Sequence, residues 1–388
     1  MNTVRTDATR TDAVPTDTVR ADTVPTDAVR AGLEATAPAP PADGMEGVTV
    51  LPELDDPVEP VLFDRWYVVA TLEDVRRQRQ RARLFGRNLV VWAAGDQVQV
   101  WQDVCVHMGF PLSALSPNAR GRRDQEEAYR RGVLKCGYHG YEYGPDGRVV
   151  RIPQHPTQKI PPHFCARKTY PVQVRYGLVF TCLGTPRYEI PPFPEWDDPA
   201  WRKIFCGPYD VNAGASRFWA NFADVAHFPW VHGDELGDPA HATVEPYRLR
   251  KTATGVVAEN IRIYQPDPDG SGQGAVVTYT YEALGPTEIR FHKVARHCYG
   301  IIMFITPVER ERCRAYMINF LNYDDGRSDE DFRRFEDRIV AEDRVIIEAQ
   351  RPALIPADLR REPQRPADAL AAWYRNYLIE QGMHYLIE

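Results

Sequence analysis

Cys105-Val106-His107-Met108-Gly109 and Cys136-Gly137-Tyr138-His139-Gly140 decide the reading of this chain. Each stretch follows a short β-like run, and 28 residues separate His107 from Cys136. The pattern is Cys-x-His, a long loop, then Cys-x2-His. Two thiolates can hold one iron while two imidazoles hold another, which is a donor set for a [2Fe–2S] cluster. Exchanging two thiolates for neutral imidazoles removes negative charge and raises the reduction potential. Such a centre takes electrons from a stronger donor and passes them on. A Cys2His2 zinc site competes with this reading, although zinc motifs usually open on Cys-x2–4-Cys rather than Cys-x-His. Gly109, Gly137 and Gly140 let the two loops close on a shared centre.

Downstream lies Asn221-Phe222-Ala223-Asp224-Val225-Ala226-His227-Phe228-Pro229-Trp230-Val231-His232. Two histidines five apart with a carboxylate nearby can supply a non-haem Fe(II) site, in which two His and one carboxylate leave positions open for O2. Taken alone, His227 reads equally as a core histidine packed among Phe and Trp. A third donor must come from elsewhere. Phe332, Phe335, Ile339, Ile346 and Ile347 form a stripe at helical spacing over about 329–350. Asp343 falls inside that stripe, where a carboxylate needs a partner because burying an unpaired charge is costly. Glu336 lies near the same face, so spacing does not choose between them, and an Asp–Arg pair in the core also fits.

The remaining chain sorts into three parts. Residues 1–50 carry a five-residue repeat, with Asp7, Asp12, Asp17, Asp22 and Asp27 in step, then an Ala/Pro stretch. A period of five fits neither helix nor strand, and the segment lacks aromatics, so a disordered low-complexity tail is expected. Residues 51–187 hold short β-like runs punctuated by Gly and Asp, including Asn88–Ala93, Gln97–Gln102 and Gly177–Cys182. The polar run Asn118–Arg131 within them reads as an exposed insertion that leaves the donors alone. After a Pro-rich joint, residues 188–388 mix strands (Val256–Tyr264, Ala275–Ala283, Ile301–Thr306, Ala315–Asn322) with helices near 329–350 and 367–381. The order implies an α+β domain on an antiparallel sheet.

A chain of 388 residues carries more than one core. Its net charge of −7 argues against general nucleic-acid binding. No apolar run approaches the roughly 18 residues that span a bilayer, and the N-terminus lacks the apolar core of a signal peptide, so a cytoplasmic location and no membrane partner are expected. Seven scattered cysteines do not form the dense framework of a small secreted domain.

Gly140-Tyr141-Glu142-Tyr143, Asp146-Gly147-Arg148 and Ile152-Pro153 complete a resemblance to Rieske-type ring-hydroxylating oxygenases. Asp224-x2-His227-x4-His232 is similar to that family's mononuclear iron motif, and Ala341–Arg351 to its C-terminal ligand segment. The chain resembles most the catalytic subunits of the monooxygenase and demethylase branch, which includes vanillate and dicamba demethylases and pheophorbide oxygenase. Respiratory Rieske proteins carry an extra disulfide where this chain has Phe110 and Tyr138. Met108 departs from the family's frequent Arg, and the loop between the ligand pairs is long.

The resemblance implies a small all-β Rieske domain followed by an α+β catalytic domain of helix-grip type, its curved antiparallel sheet flanked by helices. It implies a [2Fe–2S] cluster on Cys105, His107, Cys136 and His139. It implies a mononuclear Fe(II) on His227, His232 and Asp343, with Asn221 near the iron and Asp224 bridging a cluster histidine to an iron histidine across subunits of a homotrimer. The implied reaction uses O2 and electrons from a separate reductase or ferredoxin drawing on NAD(P)H, since the chain has no G-x-G-x-x-G. The substrate is a small aromatic or apolar organic molecule, hydroxylated, demethylated, desaturated or cyclised. Phe218, Trp219, Phe222, Phe291, Met303, Phe304 and Phe320 are candidate pocket liners. A Rieske electron carrier with a non-catalytic second domain is the alternative.

Overall fold

The computed structural model describes residues 51–233, 235–268, 272–324 and 326–388, and the repetitive tail expected at 1–50 lies outside them. Leu89-Val90-Val91-Trp92 occupies the middle of the strand Arg87–Ala94 and is buried throughout. Side chains alternate across a strand, so Leu89 and Val91 join one core while Val90 and Trp92 join another that surrounds Cys105 and Cys136. This strand lies between Gln80–Leu84 and Gln97–Gln102, with Thr169–Tyr170 at the edge. Two three-stranded sheets complete the first half. One is Tyr67–Thr71, Leu178–Thr181 and Val172–Arg175, and the other is Leu134–Lys135, Glu142–Tyr143 and Val149–Arg151.

The second half is a seven-stranded antiparallel sheet in the order Arg202–Val211, Arg312–Leu321, Cys298–Glu309, Glu288–Val294, Ala275–Ala283, Val256–Gln265, Arg248–Lys251. Its Cys298–Glu309 strand is buried on both faces. Ile301, Met303 and Ile305 face one core, while Ile302 and Phe304 face a second core shared with Trp66, Val68, Tyr176 and Phe180 of the first half. Backbone bonds reinforce that contact: Phe85 N donates to Pro307 O at 2.8 Å and Gly86 N to Val308 O at 2.8 Å. The helices Ala215–Phe222, Phe228–Val231, Asp329–Ala349 and Ala369–Glu380 complete the fold. The long helix Asp329–Ala349 starts at a capping box in which Ser328 and Asp331 satisfy each other's backbone N–H.

Two expectations need correcting. Asn118–Arg131 is not an exposed loop that leaves the donors alone. Ala119–Arg130 is a helix with Gln125 and Ala128 buried. Gln125 Nε2 donates to Ala114 O at 3.2 Å and Lys135 O at 3.0 Å, and its Oε1 accepts from Ser116 N at 2.7 Å. The helix is therefore pinned to both donor loops. Gln125→Leu strands these groups and is expected to cost roughly 2–4 kcal/mol, measured by urea unfolding. On the long helix, Ile346 faces solvent and Val340 is buried in its place, because the inward stripe runs through residues 336, 340, 343 and 347.

Candidate active site

The two Cys/His loops meet at one point. Cys105 and Cys136 are buried and hydrogen-bonded to each other, while His107 is exposed and His139 half-buried. The two imidazole Nδ1 atoms lie 3.1 Å apart. Tyr141 stacks on the His107 ring at 4.7 Å and sets its plane. The Tyr143 hydroxyl lies 3.2 Å from Cys105 Sγ and 3.0 Å from Val106 N, which donates to it. The bond from Cys136, ahead of the opposing effect of burial, and then that from Tyr143 bring the Cys105 thiol down to about 6. Two ring nitrogens at 3.1 Å with lone pairs facing each other repel unless a proton or a metal lies between or beside them. With two thiols converging on the same centre, the donor set fits an iron–sulfur cluster.

The second site is built by three helices. Asn221 lies in the last turn of the helix Ala215–Phe222, His227 and His232 flank the single turn Phe228–Val231, and Asp343 comes from the long helix. One donor atom from each of His227, His232 and Asp343 lies within 4.8 Å of the others. The two Nε2 atoms are 3.2 Å apart, and Asp343 Oδ1 lies 3.3 Å from His227 Nε2 and 3.1 Å from His232 Nε2. Burial pushes the Asp343 carboxyl up, but the two histidines outweigh it and hold the group at about 2. Burial likewise disfavours charge on His227, yet Asp224 and Asp343 raise it to about 9. Two imidazoles and a carboxylate converging in a buried corner suit a divalent cation, and this is the 2-His-1-carboxylate pattern.

Each histidine is oriented from behind by a carboxylate. His227 Nδ1 lies 3.4 Å from Asp224 Oδ2, and His232 Nδ1 lies 2.7 Å from Glu342 Oε2. Asn221 Nδ2 donates to Asp343 Oδ1 at 3.2 Å. Such partners fix the ring and its tautomer. The reading of the sequence missed Glu342. Its only signal is adjacency to Asp343, which places it on the flank of the same helix. Glu342→Gln is expected to weaken iron binding by about tenfold or more, read by metal titration.

Glu336, the rival third donor, sits two helical turns away and accepts a bond from the Tyr299 hydroxyl at 2.5 Å. Burial pushes its carboxyl up to about 7. An unfolded chain releases this proton near the ordinary carboxyl value, the folded chain only near 7, so stability falls as pH rises through that window. Glu336→Gln is expected to remove the fall, a gain of up to about 3 kcal/mol near pH 8 and none near pH 4. Urea unfolding at both pH values checks this.

His227, His232 and Asp343 line a cavity of about 320 Å³, a size suited to a small molecule. Phe218, Phe222, Phe291, Tyr279, Tyr281 and Ile301 supply much of its wall. Among the other expected liners, Trp219 instead stacks on Tyr374 at 3.8 Å, Met303 is core, and Phe304 and Phe320 face the aromatic core behind the sheet.

Residues 65–171 match the Rieske [2Fe-2S] domain family, and residues 211–381 match the vanillate O-demethylase oxygenase C-terminal domain. The chain belongs to the Rieske oxygenases. It is 27% identical to the methylxanthine N1-demethylase NdmA of Pseudomonas putida over 326 residues, which cover 81% of this chain and 88% of that protein. It is 30% identical to the vanillate O-demethylase oxygenase subunit of Pseudomonas sp. (strain ATCC 19151) over 173 residues, covering 42% of this chain and 47% of that one. Its fold matches the crystal structure of dicamba monooxygenase bound to dicamba, with a TM-score of 0.64, 20% identity, and coverage of 82% and 97%. As a Rieske oxygenase the protein is an oxidoreductase whose cofactors are a [2Fe–2S] cluster and a mononuclear non-haem iron. Among the described residues no helix is long and apolar enough to cross a membrane.

Proposed function

We propose that this Rieske oxygenase holds its cluster on Cys105, His107, Cys136 and His139 and its catalytic iron on His227, His232 and Asp343. It uses O2 to remove a methyl group from a small aromatic or heteroaromatic molecule. A separate NAD(P)H-dependent reductase, directly or through a ferredoxin, supplies the electrons. The observation that carries this reading is the convergence of three donor atoms on the wall of a largely aromatic cavity.

When bound, the cluster supplies single electrons and the iron supplies O2 activation. The chain's own groups do the rest. Asp224 and Glu342 orient the two imidazoles, and Asn221 holds the Asp343 carboxylate. The aromatic wall excludes water and offers planar faces to a planar ring. The Tyr281 ring, packed against Phe222, Tyr279 and Phe291, belongs to that wall. Overall, one oxygen atom enters the methyl carbon, which leaves as formaldehyde. The other becomes water with two electrons and two protons.

The Rieske domain spans residues 51–187 and the catalytic domain 188–388 in this reading. Met108 and Tyr138 are exposed beside the cluster histidines, while Trp230, Val345 and Ile346 are exposed within three residues of His232 or Asp343 in sequence. Apolar patches at both sites favour a head-to-tail homotrimer in which Asp224 links one subunit's iron to its neighbour's cluster. The protein acts in the cytoplasm.

Metal and sulfide analysis with EPR on the purified protein tests the site. About three irons and two sulfides per chain, with a rhombic signal on reduction, are expected. Iron at the cluster alone would reduce the protein to an electron carrier, and zinc alone would remove both metal assignments. Formaldehyde release from a panel of N-methyl and O-methyl aromatics tests the reaction.

A further inference from the structure

Arg79 stands just before the strand Gln80–Leu84 and is buried, at 7% exposed. Its Nη1 donates to Lys135 O at 2.7 Å and to Leu112 O at 3.2 Å, and its Nη2 donates to Gln125 O at 3.3 Å. Lys135 is the residue before Cys136, and Leu112 lies in the loop that follows Cys105 and His107. One guanidinium thus ties together both donor loops and the Ala119–Arg130 helix. The packing behind the second loop is tight. A Cβ on Gly137 would lie 3.1 Å from Gln125 Nε2 and 3.0 Å from Ser116 N.

Every acceptor of Arg79 is a neutral carbonyl. The other buried cation here, Lys135, is neutralised by Glu142 at 3.3 Å and by Asp124. Among the described residues no carboxylate forms an ion pair with Arg79. Its guanidinium overlies the Tyr129 ring at 5.9 Å, and Asp103 is the carboxylate whose charge reaches it. Burial lowers the guanidinium to about 10, which still leaves it charged at neutral pH. A buried cation without a paired anion is costly to keep. The cluster supplies a reason to keep it, because it gains one negative charge when reduced.

We infer that Arg79 is a tuning residue of the cluster: its buried positive charge, held behind Cys136 by three carbonyls, stabilises the reduced state and raises the reduction potential. It does not touch the reacting atoms. The inference rests on the proposed cluster ligands. The step it biases is the uptake of one electron by the oxidised cluster from the reductase, with no proton required. Asp103 opposes it, since its buried carboxylate accepts from Ser113 N and Oγ at the base of the first loop.

An EPR-monitored redox titration of the purified holoenzyme tests it, with Arg79→Met, Arg79→Lys and Asp103→Asn. Arg79→Met is expected to make the cluster about tenfold harder to reduce, a fall of about 59 mV for a one-electron couple. Arg79→Lys keeps the charge and is expected to stay close to the wild-type midpoint, while Asp103→Asn shifts it upward. A role in packing alone would not produce shifts of opposite sign that lysine restores. An Arg79→Met protein with a normal Rieske spectrum and an unchanged midpoint would overturn the inference, as would an Arg79→Lys midpoint that falls equally far. Should Arg79→Met not take up its cluster, Arg79→Gln, which keeps a donor to the same carbonyls without the charge, decides: a fallen midpoint supports the inference and an unchanged one overturns it. A wild-type protein with no Rieske spectrum would instead overturn the ligand assignment.

Discussion

Asp343→Ala is expected to abolish turnover and to remove about one iron in three, while the reduced cluster keeps its EPR spectrum. Among the described residues, Asp343 Oδ1 is the one carboxylate oxygen within about 3.3 Å of both imidazole Nε2 atoms. Its loss leaves two neutral nitrogens to hold a divalent cation. Glu336 cannot take over, because two helical turns separate them, about 10 Å along the axis, and its carboxyl is already engaged by Tyr299. The rate should therefore fall by more than the 10–100-fold that follows loss of an outer partner. Iron content, cluster EPR and O2 uptake on one preparation check all three parts. Full iron content with normal O2 uptake would remove Asp343 from the site.

Asp224→Asn is expected to lower kcat by about 10–100-fold with little change in KM. Asp224 makes two local contacts. Its Oδ1 accepts from Ala226 N at 2.7 Å, which asparagine's oxygen can also do, and its Oδ2 faces His227 Nδ1 at 3.4 Å. The amide thus keeps the turn but gives up the charge behind the imidazole. If Asp224 also carries the path from the neighbouring subunit's cluster, electrons should accumulate on the cluster while the iron waits. Stopped-flow reoxidation of the pre-reduced cluster with O2 and substrate reads this directly. Reoxidation at the wild-type rate would show that Asp224 orients His227 and does nothing more.

How much of this was legible in the sequence depends on how far each donor travels. Cys105 and His107, Cys136 and His139, and His227 and His232 lie within single loops, so spacing alone brings each pair close. Asp343 was visible as a carboxylate on an apolar stripe, but which of it and Glu336 lies beside the two histidines depends on the packing of the long helix. Glu342 was invisible because its partner His232 is 110 residues away. The strand Glu288–Val294 reads as polar, since Glu288, Arg290 and His292 alternate along it. They are buried or half-buried because Arg290 pairs with Glu282 and Glu195, and His292 with Glu195. The helix Ala119–Arg130 hides for the opposite reason. Arg120, Arg122, Arg123, Asp124, Glu126 and Glu127 dominate its composition, and the side chains that anchor it include the polar Gln125 and the Tyr129 hydroxyl.

The aromatic core behind the large sheet draws Trp66, Tyr176 and Phe180 from one half of the chain and Phe304, Tyr316 and Phe320 from the other. Thr306 Oγ1 adds a bond to Val68 O at 2.6 Å across the same contact. The two halves match separate families, yet neither owns this core. Heating should therefore melt them together: a calorimetric scan is expected to show one endotherm rather than two. The cluster's visible colour should bleach at that same temperature, so damage that begins at either metal centre ends as loss of both.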